Sequence, residues 1–413
     1  MAQTLKFGNG TWATKKGSTL AHNDEGGNFK PLPFTYTGAG KGTRVNKEGL
    51  IEVVENDRPR IDYLDSEDGV FLLEKASTNL VTYSNDFSNG SWIKTNTTIQ
   101  LNSSISPDGT NNASNLIPST SSGIHNVKSL TNLTNSYCSG SWFVKANGYN
   151  KVSLREDGVF GRYMSCDLSN GTILDENATT SAEIENYGNG WYRIKFTDVV
   201  VSTGTRISMY VLPDTYTNGS PNSLNWSGNG TDGVLIFGAM LEDASNVSSY
   251  IPTQGTIQTR VQETASGSGN SEVFNDSQGI LYANIAANAN DGGVRAISLN
   301  NGSVSNRISI RYNSTSNQIQ YQYTSGGSVQ VNITSNVADV KTPHKIAVKY
   351  KLNDFELFID GFSRGTDLIG NVMPSGTLTN LDINGSGVLD YFYGKTKEIA
   401  YYDEILTDLE LET

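Results

Sequence analysis

The amino-acid sequence predicts an all-β protein, and three observations lead to that prediction. The chain has 413 residues, of which only 17% are charged, whereas the surfaces of helical proteins are normally filled with Glu, Lys and Arg. Its apolar runs are short and rich in β-branched and aromatic residues. Clusters of Gly, Asn, Asp and Pro separate these runs, as turns separate strands. The pattern is typical of sandwiches and barrels, and the length indicates two or three domains.

Residues 1–78 are predicted to form an extended N-terminal attachment segment that crosses into a larger β domain. Residues 1–40 contain too little apolar material for a core of their own, so they are expected to dock on something else, which in a fibre-like protein would be a partner chain or the particle. Residues 41–92 alternate short apolar runs with turn clusters, as at 56–59 and 65–69. No run in this stretch is long enough for a helix.

Residues 79–260 are predicted to form the first large β domain. In the segment 191–196, for example, odd-numbered side chains would share one face and even-numbered side chains the other, which is the period of a strand rather than a helix. Residues 261–270 are rich in Ser and Gly and are predicted to be a flexible linker.

Residues 271–413 are predicted to form a second β domain. Its strongest hairpin joins residues 344–350 to 355–361 through a turn at Asn353 and Asp354. Near the end, Thr407 and Glu410 have the spacing of a capping box, which predicts a short helical turn. No period of 20 to 50 residues repeats, so a solenoid is not expected.

Within this pattern, TRVNKEGLIEVVENDRPRIDYLD and LLEKASTNLVTYSNDFSNGSW resemble a segment that recurs in structural proteins of tailed bacteriophages. In those proteins the segment precedes a jelly-roll, carbohydrate-binding-like module, and a concanavalin-like module often follows. GNGWYRIKF and VLIFGAMLEDASNVSSYIPTQG resemble strands of such a jelly roll. HKIAVKYKLNDFELFIDG and FYGKTKEIAYYDEILTDLELE resemble the hairpin and last strand of concanavalin-like and laminin-G-like sandwiches.

The resemblance implies two antiparallel β-sandwiches, a jelly roll over 79–260 and a concanavalin-like domain over 271–413, in a tail fibre or head fibre on the virion surface. It implies attachment to other virion proteins through the N-terminal segment, host-surface glycan as a further partner, and a homotrimer, although no heptad seam is visible. Two alternatives stay open: a purely structural capsid decoration protein and a polysaccharide depolymerase. A bacterial surface adhesin is a further alternative, and the absence of a signal-peptide pattern argues against it.

Charge and hydropathy exclude other classes of partner. The net charge is −12 and the pI is about 4.8, whereas nucleic-acid binding needs clustered Lys and Arg. No apolar run approaches the roughly 20 residues of a membrane-spanning helix, so membrane insertion is not expected and the protein should be made in the host bacterial cytoplasm. Cys138 and Cys166 are too few for a disulfide framework and are expected to be buried free thiols.

Catalytic motifs are missing from the sequence. It contains no HExxH, no GxSxG and no Cys with a nearby His. A pair of carboxylates for glycoside hydrolysis depends on separation in space, and 42 acidic residues do not nominate one. The expectation is therefore a protein that is not an enzyme and that needs no cofactor, with calcium as the one option considered.

Sugar binding needs an exposed aromatic side chain to stack on a pyranose ring and polar groups for its hydroxyls. Trp226 is the best candidate, because it sits in a polar loop with Asn225 beside it; its alternative is to fold back on the core. Tyr216 is a weaker companion. Tyr321 and Tyr323 share one strand face, which is either a binding surface or a core stripe.

Asn288 and Asp291 precede Gly292 and Gly293. They mark a turn at the rim of the second domain, where related sandwiches sometimes hold calcium. Oxygen ligands of this kind are those that calcium prefers, so these two residues are the candidate metal ligands.

Overall fold

A computed structural model describes residues 5–23, 30–38, 40–131, 133, 137–158, 161–177, 181–198, 206–386 and 390–411. The chain divides into two units, and each is formed by segments that are distant in sequence. Unit 1 comprises Met1–Ala39, Glu55–Lys75 and Gln262–Thr413, and unit 2 comprises Gly40–Val54 and Ala76–Val261.

The strands of the first half are β1 Leu5–Gly8, β2 Thr14–Lys15, β3 Ser18–Asn23, β4 Lys30–Thr37, β5 Thr43–Val45, β6 Ile51–Val53, β7 Arg60–Asp62, β8 Val70–Leu73, β9 Ser77–Asn79, β10 Trp92–Thr95, β11 Thr97–Ser104, β12 Ala113–Pro118, β13 Asn126–Ser129, β14 Cys138–Asn147, β15 Lys151–Glu156, β16 Tyr163–Asp167, β17 Thr172–Glu176, β18 Ser181–Asn186 and β19 Tyr192–Asp198.

The remaining elements are β20 Ile207–Leu212, β21 Gly233–Glu242, β22 Gln258–Arg260, β23 Thr264–Ser266, β24 Gln278–Ala287, β25 Arg295–Asn300, β26 Arg307–Tyr312, β27 Gln318–Ser325, β28 Ser328–Asn336, β29 His344–Lys351, β30 Asp354–Ile359, β31 Phe362–Asp367, β32 Asn380–Asp382, β33 Gly394–Tyr402 and the single helical turn α1 Asp408–Leu411. The all-β prediction is confirmed.

Unit 1 is an antiparallel β-sandwich. Its larger sheet runs in the order β23-β4-β3-β1-β33-β24-β29-β30-β31, and its smaller sheet in the order β28-β27-β26-β25-β32. Alternate residues of β24, such as Leu281 and Ala283, enter one core cluster with Ile308 and Ile310 of β26. Burying each such side chain contributes about 1.5–3 kcal/mol, so the period-2 pattern of the strands holds the two sheets together.

Unit 2 is a second antiparallel sandwich. One sheet runs β10-β13-β20-β15-β16-β17 and the other β11-β12-β21-β14-β19-β18. Trp142 of β14 and Leu154 of β15 come from the two sheets and share one core cluster, which also contains Cys138 and Cys166. Both cysteines are buried and free, as predicted. Burial raises the pKa of the Cys166 thiol to about 12, which keeps it protonated at neutral pH.

The structure corrects the prediction of a separate N-terminal segment. β1 lies between β3 and β33 in the larger sheet of unit 1, with Leu5 opposite Tyr401 and Phe7 opposite Ile399. The Phe7 ring contacts the rings of Phe34 and Phe71, with centroids 5.0 and 5.5 Å away. The first residues do lack material for a core of their own, and they complete the core of the C-terminal sandwich.

The structure also corrects the prediction of a flexible linker at 261–270. Thr264–Ser266 form β23, which pairs with β4, and the Ala265 side chain is fully buried. The Ser268 and Leu381 backbones exchange two hydrogen bonds of 3.1 and 2.7 Å. Small polar residues pack here because a neighbouring strand satisfies their backbone groups.

Two local predictions in unit 1 are confirmed. The β29–β30 hairpin turns at Asn353, whose φ of 55° is the left-handed conformation that Asn tolerates. Thr407 N–H and Oγ1 both donate to Glu410 Oε2, at 2.8 and 2.7 Å, at the start of the helical turn α1. No helix among the described residues is long and apolar enough to cross a membrane.

Candidate functional site

A polar concavity described in unit 2 is a cleft of about 560 Å³. Ligand sites for small molecules typically occupy about 300–1,000 Å³. Side-chain amides dominate its lining, which consists of Lys41, Tyr83, Asn85, Asp86, Leu101, Asn102, Asn112, Pro252, Thr253, Gln254 and Gln258. Such a lining offers hydrogen-bond donors and acceptors together with little net charge.

One wall of the cleft is the segment that follows β9, and a buried hydrogen-bond network fixes it. Ser84 Oγ accepts from the Thr253 N–H at 2.9 Å and lies 2.7 Å from the Tyr250 hydroxyl. Asn85 Oδ1 accepts from the Gly238 N–H at 2.8 Å and from the Tyr250 hydroxyl at 3.0 Å. The Asn85 carbonyl is thereby committed to the scaffold, and its amide nitrogen is the group that remains to donate.

Tyr83 and Gln254 face each other across an isolated backbone bridge at this wall. The Tyr83 side chain is half-buried and Gln254 is exposed. A tyrosine in this position offers a ring edge or face together with a hydroxyl, which suits a ligand that has both apolar surface and polar groups.

A second set of lining residues comes from a bulge in β11. The pairing of β11 with β12 shifts register between Gln100 and Ser104. Asn102 within the bulge has φ of 52°, the left-handed conformation that asparagine tolerates. Bulges of this kind re-aim side chains beside functional sites, and this one leaves the Leu101 side chain 44% exposed at the cleft.

Asn112 is held at the floor of the same hairpin by Asp108. Its Nδ2 donates to Asp108 Oδ2 at 3.0 Å, and Asp108 Oδ1 accepts from Thr110 N–H and Oγ1 at 2.8 and 2.7 Å. Burial alone would raise the pKa of Asp108, but the hydrogen bonds from Ser106, Thr110 and Asn112 outweigh it and lower the pKa. Asp108 therefore stays ionised and fixes which way the Asn112 amide points.

The described lining of the cleft contains one carboxylate. Asp86 is the only carboxylate among the described lining residues, and its Oδ1 already accepts from Ser88 N–H and Oγ at 3.1 and 2.6 Å. Glycoside hydrolysis normally uses two carboxyl groups across the scissile bond. A cleft with one carboxylate and several amides can hydrogen-bond hydroxyl groups but lacks that pair.

Trp226, the predicted stacking residue, folds back on unit 2. Its ring meets the rings of His125 and Tyr149 edge-on, with centroids 4.5 and 5.4 Å away, and it packs against the core cluster. His125 Nε2 lies 3.0 Å from the Trp226 carbonyl oxygen, and the Trp226 backbone bridges Gly123. The half-buried indole is part of the scaffold, which corrects its assignment as a sugar platform.

The companion residues Asn225 and Tyr216 do not form a site with it. Asn225 is exposed, but its Oδ1 accepts from Ser122 Oγ at 2.6 Å. Tyr216 is 4% exposed, and its hydroxyl donates to the Gly219 carbonyl at 2.7 Å. Burial is the main cause that raises the pKa of Tyr216 to about 12. A buried ring has no face to offer a sugar.

Tyr321 and Tyr323 form a core stripe, the alternative that the sequence left open. Both are fully buried in unit 1. The Tyr321 hydroxyl donates to the Lys349 carbonyl at 3.1 Å, and the Tyr323 hydroxyl accepts from the Met373 N–H at 2.9 Å. Their predicted role in carbohydrate binding is therefore wrong.

The calcium assignment of Asp291 and Asn288 is also corrected. Asp291 Oδ1 accepts from Arg295 Nη2 at 2.5 Å, and Lys75 Nζ lies 3.4 Å from Oδ2. Asn288 Nδ2 donates to the Leu73 carbonyl at 2.9 Å. Two cations already neutralise the carboxylate, so a third positive charge would be repelled. The described residues contain no cluster of three or more His, Cys, Asp or Glu suited to a metal.

Asp291→Asn is expected to destabilise unit 1 by about 1–3 kcal/mol at pH 7, as loss of a charge-assisted hydrogen bond does. Burial alone would raise the pKa of Asp291, but Arg295, the Gly293 N–H and Lys75 hold it well below its usual 3.8. A lowered folded pKa gives stability that is present above about 3.8 and is lost as the pH falls below it. Urea unfolding at pH 7 and pH 3 measures the difference.

The exposed carboxylate Glu272 of the same unit supplies the control. Glu272→Gln should change the free energy of unfolding little at either pH. A penalty for Asp291→Asn that stays the same at pH 3 would contradict the ion-pair explanation.

The cleft residues escaped sequence analysis because they come from four separated stretches, around residues 41, 83–86, 101–112 and 252–258. One signal was present: Tyr83, Asn85 and Asp86 lie inside LLEKASTNLVTYSNDFSNGSW, one of the phrases that carry the resemblance stated above. An exposed Trp in a polar loop was the feature expected of a sugar site, and it pointed to Trp226, which lies outside the cleft.

No protein-family model and no curated protein matches the chain. Similar solved structures include the CBM40 of the Ruminococcus gnavus IT-sialidase bound to alpha2,3 sialyllactose, which is 15% identical with a TM-score of 0.30 and covers 36% of this chain and 91% of that one. Domains LG4-5 of the mouse laminin alpha1 chain are 11% identical with a TM-score of 0.25, and the match covers 68% of this chain and 86% of the laminin chain.

The Trypanosoma rangeli sialidase in complex with the inhibitor DANA is 9% identical with a TM-score of 0.28, and covers 96% of this chain and 65% of that one. These identities and TM-scores are too low to carry an inference about the ligand of this chain. The function of this chain is therefore inferred from the cleft itself.

Proposed function

We propose that the chain is a carbohydrate-binding protein of a tailed-bacteriophage virion surface, a fibre that contacts host-surface glycan through the cleft of unit 2. The observation that carries the binding proposal is the cleft of about 560 Å³, lined by five side-chain amides, one tyrosine and one carboxylate. Sugars present many hydroxyl groups on a partly apolar ring, and pockets that bind them combine those same groups.

The net charge of −12 is consistent with this proposal. An acidic surface does not attract an anionic cell envelope, so recognition has to come from hydrogen bonds and shape. The side-chain amides of the cleft supply such hydrogen bonds without adding charge. Binding without hydrolysis is part of the proposal, because the lining offers one carboxylate.

The virion location rests on the resemblance of residues 43–92 to phage structural proteins. An antibody raised against the purified chain should label intact virions of the phage that encodes it. Phage fibres are usually homotrimers, so sedimentation equilibrium of the full chain is expected to give three times the monomer mass of 44.7 kDa. A monomer that labels the capsid shell without binding any glycan would favour a decoration protein instead.

Tyr83→Ala and Gln254→Ala are each expected to weaken glycan binding about tenfold, since about 1.4 kcal/mol lost from a stacking contact or hydrogen bond corresponds to that factor. The full chain is first screened against capsular polysaccharide, lipopolysaccharide, teichoic acid and simple saccharides. Calorimetry then compares the variants on the glycan that binds best.

Tyr137→Ala is the matched control, because Tyr137 is a 46% exposed tyrosine of unit 2 outside the cleft. It should bind as the unaltered chain does. Absence of binding to every glycan, or binding that both cleft variants retain, would overturn the proposal. Release of reducing ends from a polysaccharide would point to the depolymerase.

A further inference from the structure

Leu101 stands out in the cleft because its apolar side chain is held open in a mostly polar lining. It is 44% exposed and lines the cleft. It lies in the β11 bulge, where Asn102, in the left-handed conformation that asparagine tolerates, follows it directly.

A buried acceptor lies at the same end of the β11–β12 hairpin. Asn112 precedes Ala113, which pairs with Ser104 just beyond the bulge. Asn112 Nδ2 donates to Asp108, and Asn112 Oδ1 is buried and has no hydrogen-bond partner among the described residues. Buried acceptors are normally paired, so this oxygen suits an N–H donor brought by a ligand.

Pro252 lines the cleft as well and adds a second apolar surface. Asn85, whose carbonyl is used twice by the scaffold, has its amide nitrogen left to donate. The cleft thus combines apolar surface, a buried acceptor without a donor among the described residues, and an amide nitrogen that can donate to a ligand. A sugar that carries only hydroxyl groups can use the two hydrogen-bonding groups but leaves the Leu101 side chain exposed to water.

We propose that the cleft selects N-acetylated amino sugars, with the acetamido methyl group against Leu101, its N–H directed to Asn112 Oδ1 and its carbonyl accepting from Asn85 Nδ2. An acetamido group is a methyl, a donor and an acceptor in one small unit, which matches the three features of the lining. This inference rests on the proposed function, since it specifies the sugar that the carbohydrate site takes.

The test uses two pairs of methyl glycosides that differ only at C2, N-acetylglucosamine against glucose and N-acetylgalactosamine against galactose, with the full chain. At least one acetamido sugar should bind about tenfold or more tightly than its hydroxyl partner, and saturation-transfer NMR should show the strongest transfer at the acetyl methyl protons. Leu101→Ser should reduce the affinity for the acetamido sugar to near that for the hydroxyl sugar and leave the latter unchanged.

Leu130→Ser is a matched control, because Leu130 is a 45% exposed leucine of the same unit outside the cleft. It should alter neither affinity. Equal affinity within both pairs, or a Leu101→Ser variant that weakens both members of a pair alike, overturns the N-acetyl inference while the carbohydrate proposal stands. If no sugar or polysaccharide binds, both fail.

Discussion

Removal of residues 1–38 is expected to unfold unit 1 rather than to release a free attachment arm. The deletion takes out β1, β3 and β4, and β1 is an interior strand between β3 and β33. It also removes Leu5, Phe7, Phe34 and Tyr36, all 2% exposed or less. Each buried side chain of this size contributes about 2–5 kcal/mol, so their sum reaches the whole stability of a typical domain, about 5–15 kcal/mol.

Limited proteolysis with mass spectrometry measures the outcome unit by unit. Peptides from residues 262–411 should become accessible in the truncated chain, while those from residues 76–198 stay protected, because unit 2 has its own core. Unit 1 that remains resistant and keeps its near-UV circular dichroism after truncation would contradict the pairing of β1 with β33.

A matched pair of point variants tests the loss of core packing without shortening the chain. Phe7→Ala should cost about 3–5 kcal/mol, the usual range for a buried phenylalanine, because its ring lies between Phe34 and Phe71. Phe362→Ala removes a ring that is 65% exposed in the same unit and should change the free energy of unfolding by less than about 0.5 kcal/mol.

The strands were predictable because their signal is local. Period-2 alternation located the β29–β30 hairpin, and the spacing of Thr407 and Glu410 located the last helical turn. Which face of a strand is buried is a different matter, since period 2 is symmetric between the two faces. For Tyr321 and Tyr323 the sequence could state both options, and only the packing of β27 against the larger sheet decides for the core.

The arrangement of strands was not predictable, because it depends on partners far apart in the chain. β1 pairs with β33, at the other end of the sequence, and nothing in LKFG specifies that strand as its partner. Likewise, a Ser/Gly-rich stretch is flexible unless a neighbouring strand meets its backbone, and β4 does so for β23. The cleft has the same origin, since its walls meet only after unit 2 has folded.

A buried ion cluster in unit 1 shows how far such long-range contacts reach. Arg60 donates from Nε to Glu263 Oε1 at 2.7 Å and from Nη2 to Glu74 Oε2 at 2.8 Å. The Tyr36 hydroxyl donates to Glu263 Oε1 at 2.7 Å, and the Glu74 N–H donates to Glu263 Oε2 at 2.9 Å. Burial, followed by the charge of Glu263, raises the pKa of the Tyr36 hydroxyl. The cluster joins three segments of unit 1 that are distant in sequence.

Arg60→Met is expected to destabilise unit 1 by about 3–5 kcal/mol at pH 7, because removing one partner leaves buried charge without compensation. The Arg60 side chain is 1% exposed, and those of Glu74 and Glu263 are 7% and 4% exposed. Urea unfolding measures the loss. Arg58→Met is the control: Arg58 is 46% exposed and contacts Glu55 at 3.6 Å, so its loss should cost about 0–1 kcal/mol.

A double variant distinguishes lost charge compensation from lost packing. Without the guanidinium, the buried carboxylates of Glu74 and Glu263 lose the cation that lies between them. Arg60→Met combined with Glu263→Gln removes one of these negative charges and should recover part of the loss at pH 7. A penalty that is unchanged in the double variant would mean that Arg60 stabilises unit 1 through the packing of its aliphatic stem alone.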